Sequence, residues 1–364
     1  MEPNTASTRT GAIPSSRAAV RRAPFAGVPI LSESRARMAQ ARQAPSIRKK
    51  SRRRFTLDDL QLFFLSLPTT IWYLLFSYLP MFGIIIAFKR YRMSPRGFLW
   101  SLFFNSEWSG LDNFRFLFSS NAAKTWMMFR NTVGYNLVFI TLGVVVPVTL
   151  AILISHLYSR KLAKACQTAI FLPHFLSWVV VGYFVYAFLA TKEGLVNNML
   201  RAAGATPVNW YQAGGAQYWP FLLVLLQMWK TMGYGMVVYM AAISGIDSSL
   251  YEAAVIDGAS KPQQTRFITL PLLRPIISIM FILAIGRIFN SDFGLFYRST
   301  RNSNSLVNVY TTIDVYVYNA LFNTPQPVYG YVSAAGFLQS VLGSLTLLFA
   351  NSVVKRIDRD SSLF

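Results

Sequence analysis

Glu252-Ala-Ala-Val-Ile-Asp-Gly258, followed after nine residues by Ile268-Thr-Leu-Pro271, sits in a charged segment between two long apolar stretches. The small side chains of Ala253, Ala254 and Ala259 let a helix lie close inside a groove. Gly258 permits a sharp change of direction. Pro271 cannot continue a hydrogen-bonded helix, so the spacing predicts that it ends the loop and that Leu270-Pro271 leads into the next span. Glu252 and Asp257 offer negative charge to a basic partner, and Asp257 is equally suited to capping a local turn.

Outward from that loop the chain is apolar. Of its 364 residues 53% are hydrophobic and 13% charged, against about a quarter charged in a soluble domain. No charged residue lies between Asp59 and Lys89, between Arg130 and Arg160, or between Lys164 and Lys192. Each gap exceeds the roughly 20 residues that cross a bilayer as a helix. In lipid an unpaired backbone group is too costly, so such spans are helical. The sequence therefore predicts an all-α membrane protein with six transmembrane helices: about Gln61–Phe88, Thr132–Tyr158, Gln167–Ala190, Tyr218–Ser244, Pro275–Phe296 and Tyr331–Val354. Pro68, Pro80, Pro147 and Pro173 punctuate them and can kink them.

The net charge of +21 is concentrated at the start, where residues 1–54 hold thirteen Lys/Arg and two acids. A segment so rich in Arg, Ala, Ser and Pro cannot bury enough apolar surface to fold alone, and a disordered basic tail is expected. Arg48, Lys49, Lys50, Arg52, Arg53 and Arg54 precede the first span, where anionic lipid headgroups attract them and hold that flank in the cytoplasm. With both termini cytoplasmic, the inner segments carry 22 basic residues and the outer ones 11. Segment 89–130 is the exception, an outer stretch with seven basic residues. Its Trp100, Phe103, Phe104, Trp108, Phe114, Phe116 and Phe118 read as an amphipathic face that anchors at the membrane interface or meets an external protein. The expected organisation is a tail at 1–54, a first transmembrane helix with the outer segment at 55–130, a core at 131–355 with the charged loop at 247–274, and a cytoplasmic C-terminus at 356–364. No cleavable signal peptide is visible, since the first apolar run starts late and is long. A transit peptide and nucleic-acid binding are the competing readings of the tail.

The chemistry of enzymes is absent from the sequence. There is no G-x-x-x-x-G-K-[ST] loop to cradle phosphates and no H-E-x-x-H, so neither ATP hydrolysis nor a metal centre is expected of this chain. His156 and His174 flank different spans, and the single Cys166 excludes an internal disulfide. Two cations fall near the middle of predicted spans, Lys230 in the fourth and Arg287 in the fifth. A charge at the bilayer centre costs roughly 3 kcal/mol, so such residues face a bundle interior or a wet cavity. One reading places them on a substrate path with Gln227, Trp229, Tyr234 and Asn290, which supply hydrogen bonds and a stacking face for a sugar ring. If both face the path, an anionic ligand is favoured. The other reading pairs them structurally, with Asp292 or with carbonyls at helix ends.

Taken together, the pattern from Glu252 to Pro271 resembles the EAA loop in the membrane subunit of bacterial ABC importers, with all seven specified positions matched. The resemblance extends through Asn131-Thr-Val, Leu172-Pro-His-Phe-Leu-Ser-Trp178, Trp229-Lys230, Gly233, Gly286-Arg-Ile-Phe-Asn-Ser-Asp-Phe293 and the end from Asn351 to Phe364. These segments are similar to the carbohydrate-uptake branch, whose best-known members import alginate oligosaccharides and maltose. It implies a type I ABC importer permease fold in a bacterial inner membrane. It implies a second permease subunit, an ATPase dimer that holds ATP and Mg, an extracytoplasmic solute-binding protein and an oligosaccharide substrate, with no cofactor on this chain. Glu252, Ala253, Ala254, Asp257, Gly258, Ala259, Leu270 and Pro271 would then form the ATPase-coupling site, with Glu252 in a salt bridge to the ATPase. A permease for a non-sugar solute and an ion-coupled secondary transporter are the alternatives.

Overall fold

The computed structural model describes residues 57–117, 122–324 and 328–357. The basic tail, Phe118 and the last seven residues lie outside them. By contact the chain divides into two units, Met1–Thr70 and Ile71–Phe364. Five helical stretches are long and apolar enough to cross a membrane, and a sixth is reached if one bent pair counts as a span. The first stretch is α1, Leu57–Tyr73, continued by a π-turn at Leu74–Tyr78 and a 3-10 stretch at Leu79–Phe88. Pro80 opens that 3-10 stretch, where its missing N–H loosens the α-pattern. The outer segment then forms a short hairpin, β1 (Lys89–Arg90) against β2 (Glu107–Trp108), a small exception to an otherwise helical chain. Asn113 holds this hairpin by donating to the carbonyls of Ala87 and Lys89, each at 2.9 Å. Trp100, Phe103, Phe104 and Trp108 remain exposed around it.

Helix α2, Ala122–Ser155, begins ten residues before the predicted start and includes Lys124 and Arg130. The third predicted span is not one helix. It is α3, Arg160–Phe171, a 3-10 turn at Leu172–Phe175, and α4, Trp178–Leu189, with a bend of 98°. Pro173 starts the turn, Leu176 is extended, and Ser177 caps α4 by accepting the Val180 N–H. Absence of charge marks apolar surroundings but carries no information on direction; the proline and the capping serine do.

After α5 (Leu195–Ala202), α6 runs over Trp219–Ser244, close to the expected fourth span. Then come α7 (Ser248–Ile256) and α8, Lys261–Ile285, which carries a π-turn at Thr265–Thr269. The fifth span thus starts fourteen residues earlier than predicted and ends before Arg287. Pro271 does not end the loop: it sits in the first turn after the π-turn, where a missing N–H costs little. Gly286 caps α8 against α11 (Tyr329–Ile357); a Cβ there would stand 2.5 Å from Leu347 Cδ1. Between them lie α9 (Phe293–Ser299) and α10 (Ile313–Phe322).

The main buried cluster joins α4, α6 and α9 through Val181, Trp219, Leu223, Leu295 and Phe296, with Tyr310 beside them. A second joins α2 to α6 through Val148, Ala151, Met236 and Tyr239. Small residues bring the elements close, as lipid-embedded helices require. At Gly233 on α6 a Cβ would meet the Ile170 carbonyl oxygen at 2.3 Å and Phe171 Cα at 2.7 Å, so the backbone of α3 lies directly on this glycine.

That contact sets a test of the packing. Overpacking a tight contact costs about 1–3 kcal/mol. Gly233→Val is expected to lower the thermal unfolding midpoint of the detergent-solubilised protein by several degrees, whereas Gly336→Ala, with open space at its Cβ, leaves it unchanged. Equal midpoints for both variants would contradict the α3–α6 approach.

Candidate coupling loop and transport path

The quoted loop folds as a capped helix followed by a tight reversal. Asp247 starts α7 by accepting the Ser249 N–H at 3.0 Å. Hydrogen bonds from Ser249, its backbone N–H first, hold the Asp247 carboxyl below the usual carboxylate range. At the other end Asp257 takes the C-cap position and Gly258 has φ of +77°. The Gly258 N–H bonds Val255 O at 3.1 Å, and the Ala259 N–H bonds Ala254 O at 2.8 Å. This pair of bonds is the Schellman termination, whose left-handed residue is ordinarily glycine. A Cβ on Gly258 would touch nothing within 4 Å, so backbone conformation alone demands glycine here. Glu252, Ala253, Asp257 and Gly258 are exposed, while Ala254 and Ala259 are half-buried. Val255 and Ile256 are 59% and 86% exposed, an apolar face beside the acids with no cover among the described residues.

Sequence reasoning did not find the link from this helix to the spans. Tyr251 Oη lies 2.9 Å from Thr269 Oγ1, and Thr269 is buried at the π-turn of α8. Gln264, also buried, donates to the Ala259 carbonyl at 3.0 Å. His156, at the end of α2, stands 3.4 Å from the Thr265 hydroxyl. Burial first, and then the charge of Lys261, push this imidazole below its ordinary pKa. Tyr251 thus ties α7 directly to α8, Gln264 ties the loop after α7 to the start of α8, and further along α8 Ile276, Ile277 and Met280 pack on the cluster shared by α2 and α6. Leu270 and Pro271 sit on the exposed side of α8 just beyond the π-turn.

The expected path residues come from two places, Gln227, Trp229, Lys230 and Tyr234 from α6, and Arg287 and Asn290 from the turn after α8. Lys230, halfway along α6, donates to the His174 carbonyl at 2.9 Å and lies over the Trp178 ring, 5.3 Å from its centroid. It thus satisfies a carbonyl freed by the α3–α4 break. Trp178 in turn donates to Asp292 Oδ2 at 2.6 Å, and the His174 ring stacks on Tyr234 with centroids 5.1 Å apart. Gln227 is half-buried, and its Oε1 has no partner among the described residues. Trp229 packs against the main core cluster. Arg287 and Asn290 belong to the turn after α8, not to a span, and are exposed. The turn is held by Asn136, which donates to the carbonyls of Ile288 and Asn290, each at 2.8 Å. The half-buried Asp314 was also missed; it accepts from the Ser291 N–H at 2.6 Å and from its hydroxyl at 2.8 Å. Of the two readings of Lys230, the contacts fit the structural one.

The chain matches the family model described as "binding-protein-dependent transport system inner membrane component" over residues 44–359. It is 31% identical to the protein LplB of Bacillus subtilis over 302 residues, covering 83% of this chain and 91% of that one. It is likewise 31% identical to the polygalacturonan/rhamnogalacturonan transport system permease protein YteP of Bacillus subtilis, over 87% of this chain and 97% of that one. Among solved structures it is similar to a chain of a bacterial ABC transporter involved in the import of the acidic polysaccharide alginate. There the TM-score is 0.72 and the identity 31%, with 83% of this chain and 97% of that one covered. A second structure of a bacterial alginate ABC transporter, in complex with an alginate pentasaccharide-bound periplasmic protein, gives a TM-score of 0.71 at 31% identity over 82% and 96% of the two chains.

The Lys230 contact predicts a stability phenotype. Lys230→Met leaves the His174 carbonyl without its donor, and an unmet buried acceptor costs about 1–3 kcal/mol. The variant is expected to unfold several degrees lower in detergent. Arg287→Met, at an exposed turn, is expected to unfold with the wild type; a reversed order would return Arg287 to the interior.

Proposed function

The chain belongs to the family of binding-protein-dependent transport system inner membrane components, and we propose that its α7 loop is where this permease subunit takes up the work of a separate ATPase. It is a membrane permease subunit of an ABC importer; the ATPase belongs to other subunits of such importers. The observation that carries the coupling reading is the exposed helix Ser248–Ile256 with its bond from Tyr251 to Thr269. In this reading Glu252 and Asp257 meet basic groups of the ATPase, and Val255 and Ile256 fill an apolar groove. Gly258 turns the chain so that Ala259 and Gln264 brace the start of α8. Displacement of α7 is passed through Thr269 to α8, and through Thr265 to the end of α2. That motion switches the path between its two openings, with binding energy at one end selecting between conformations at the other.

The substrate class in this reading is an oligosaccharide released from a polysaccharide, supported by the transport functions that the similar proteins are named for. A second permease subunit, two ATPase subunits carrying ATP and Mg, and an extracytoplasmic solute-binding protein complete the assembly. Both termini face the cytoplasm, as the basic residues at 48–54 favour, and α7 then faces the ATPase.

Glu252→Lys and Gly258→Val are the test, in the assembled importer. A β-branched residue at a left-handed position is strained by about 1–2 kcal/mol, and the charge reversal opposes the docking surface. Each is expected to lower uptake and binding-protein-stimulated ATPase activity at least about ten-fold, with the subunit still inserted at normal abundance. Unchanged uptake in both would refute the assignment. Tyr251→Phe removes only the hydroxyl and is expected to leave ATPase activity largely intact while solute moved per ATP falls.

A further inference from the structure

Two adjoining cavities open at the end of α6 remote from α7. One, of about 230 Å³, is lined by Gly182, Tyr183, Tyr186, Tyr297, Arg298 and Arg301. The other, of about 540 Å³, shares Tyr186 and Arg301 and adds Lys192, Glu193, Tyr211 and Ser303. Tyr211 packs on Trp219, the first residue of α6, with ring centroids 5.4 Å apart. The 26 residues of α6 separate that point from the α7 end, a distance of about 39 Å at the rise of a helix.

The backbone at this groove is unusual. Helix α9 ends in the same Schellman pattern as α7: the Arg301 N–H bonds Arg298 O, and the Asn302 N–H bonds Tyr297 O. Where α7 has Gly258 at the left-handed position, α9 has Arg301 with φ of +57°, followed by Asn302 at +51°. Asn302 is fixed by Tyr310 Oη at 2.8 Å and Asn319 Nδ2 at 3.2 Å on its side-chain oxygen. A cation gains from the helix dipole anywhere in the last turn, as Arg298 already does, so the dipole does not require a left-handed arginine. What the position does give Arg301 is a guanidinium over the Tyr186 ring, 4.0 Å from its centroid, on a side chain that stays exposed. Arg298 lies over Tyr297 at 5.4 Å. Neither arginine is paired with a carboxylate among the described residues. Beside them Tyr211 Oη is buried without a hydrogen-bond partner among those residues. The groove floor is Gly182, where a Cβ would press on the Arg298 carbonyl at 2.9 Å.

We propose that Arg298 and Arg301, seated on Tyr297 and Tyr186, form with the exposed ring of Tyr183 a subsite that recognises the carboxylate of an acidic sugar unit. Planar guanidinium forks bind carboxylates in two-point fashion, and tyrosine faces pack on the apolar face of a sugar ring. Lys230, committed to the His174 carbonyl, does not supply this charge. Glu193 at the rim of the wider cavity repels a misplaced acid and is opposed by Lys192 next to it in sequence. The inference rests on the oligosaccharide reading of the importer and narrows it to uronate-bearing chains.

The experiment uses the assembled importer with its binding protein in proteoliposomes. The probes are uronate trisaccharides (galacturonate, mannuronate and guluronate) and their methyl esters, which keep the ring and remove the charge. Arg301→Gly suits the left-handed backbone and removes only the side chain; Arg298→Gln is the second variant. Each is expected to raise the KM for a transported uronate trisaccharide about ten-fold and to leave that for its methyl ester within two-fold. Equal loss for acid and ester overturns the subsite, because the groove then serves protein docking or assembly. Transport of the neutral methyl esters with no transport of the acids also overturns it, yet leaves the oligosaccharide reading standing. Failure of all of these sugars to be transported overturns both.

Discussion

In hydrocarbon a carbonyl released at the end of a helix has no water to turn to, and the whole bundle is organised around that constraint. At three interruptions, one within a span and two between helices, a side-chain donor from another element meets the released carbonyls. Lys230 answers the His174 carbonyl at the α3–α4 bend. Asn136 answers Ile288 and Asn290 after α8, and Gln339 adds a bond to Phe289 in the same turn. Asn131 answers Asn308 and Thr311 before α10. All but Lys230 are amides, which present two donors each and fit a pair of neighbouring carbonyls. The donors sit on the unbroken helices α2, α6 and α11, and the acceptors lie at the interruptions. Straight helices thus act as fixed posts to which the bent ones are tied.

This division explains which features could be read from the chain. Long, nearly charge-free runs mark what is apolar, and they located α2, α6, α11 and the stretch from α1 to Phe88 to within about ten residues. They say nothing about direction, so Gln167–Ala190 read as one rod although Pro173 and Ser177 were present to bend it. They also misled where charge is tolerated inside a helix: Lys261, Arg266 and Arg274 made α8 look like loop. In the loop after α7 Gly258 was legible because only a left-handed backbone demands glycine there. Tyr251 was not, because its partner Thr269 becomes its neighbour only through the turn at Gly258. Lys230 was recognised as costly, yet a single chain of letters does not distinguish a cation facing a ligand from one facing a carbonyl. Arg301 was invisible, since arginine is not a residue by which a left-handed turn announces itself.

The two Schellman terminations show one backbone device put to different ends. At α7 the turn carries no side chain, and its exposed surface is free for the helix face to meet another body. At α9 the turn carries a long cation whose direction is set by a ring beneath it and by Asn302 behind it. The path between them runs along α8, the Gly286 contact with Leu347, the Asn136 clamp and the Asp292 cap of α9.

Helix α2 has 34 residues, which makes it about 51 Å long, whereas the hydrocarbon layer is about 30 Å thick. Lys124 and Arg130 lie in its first three turns, and Trp126 between them is 69% exposed. Those turns stand clear of the acyl chains, with the cations at headgroup level or above. The surplus becomes a parapet: Arg130, Asn131 and Tyr135 wall a further cavity of about 320 Å³ with Pro220 and Asn308. Because the apolar part of α2 is also longer than the layer it crosses, the helix must cross it at a tilt, and its packing against α6 through Val148, Ala151, Met236 and Tyr239 fixes that tilt and with it the stance of the parapet.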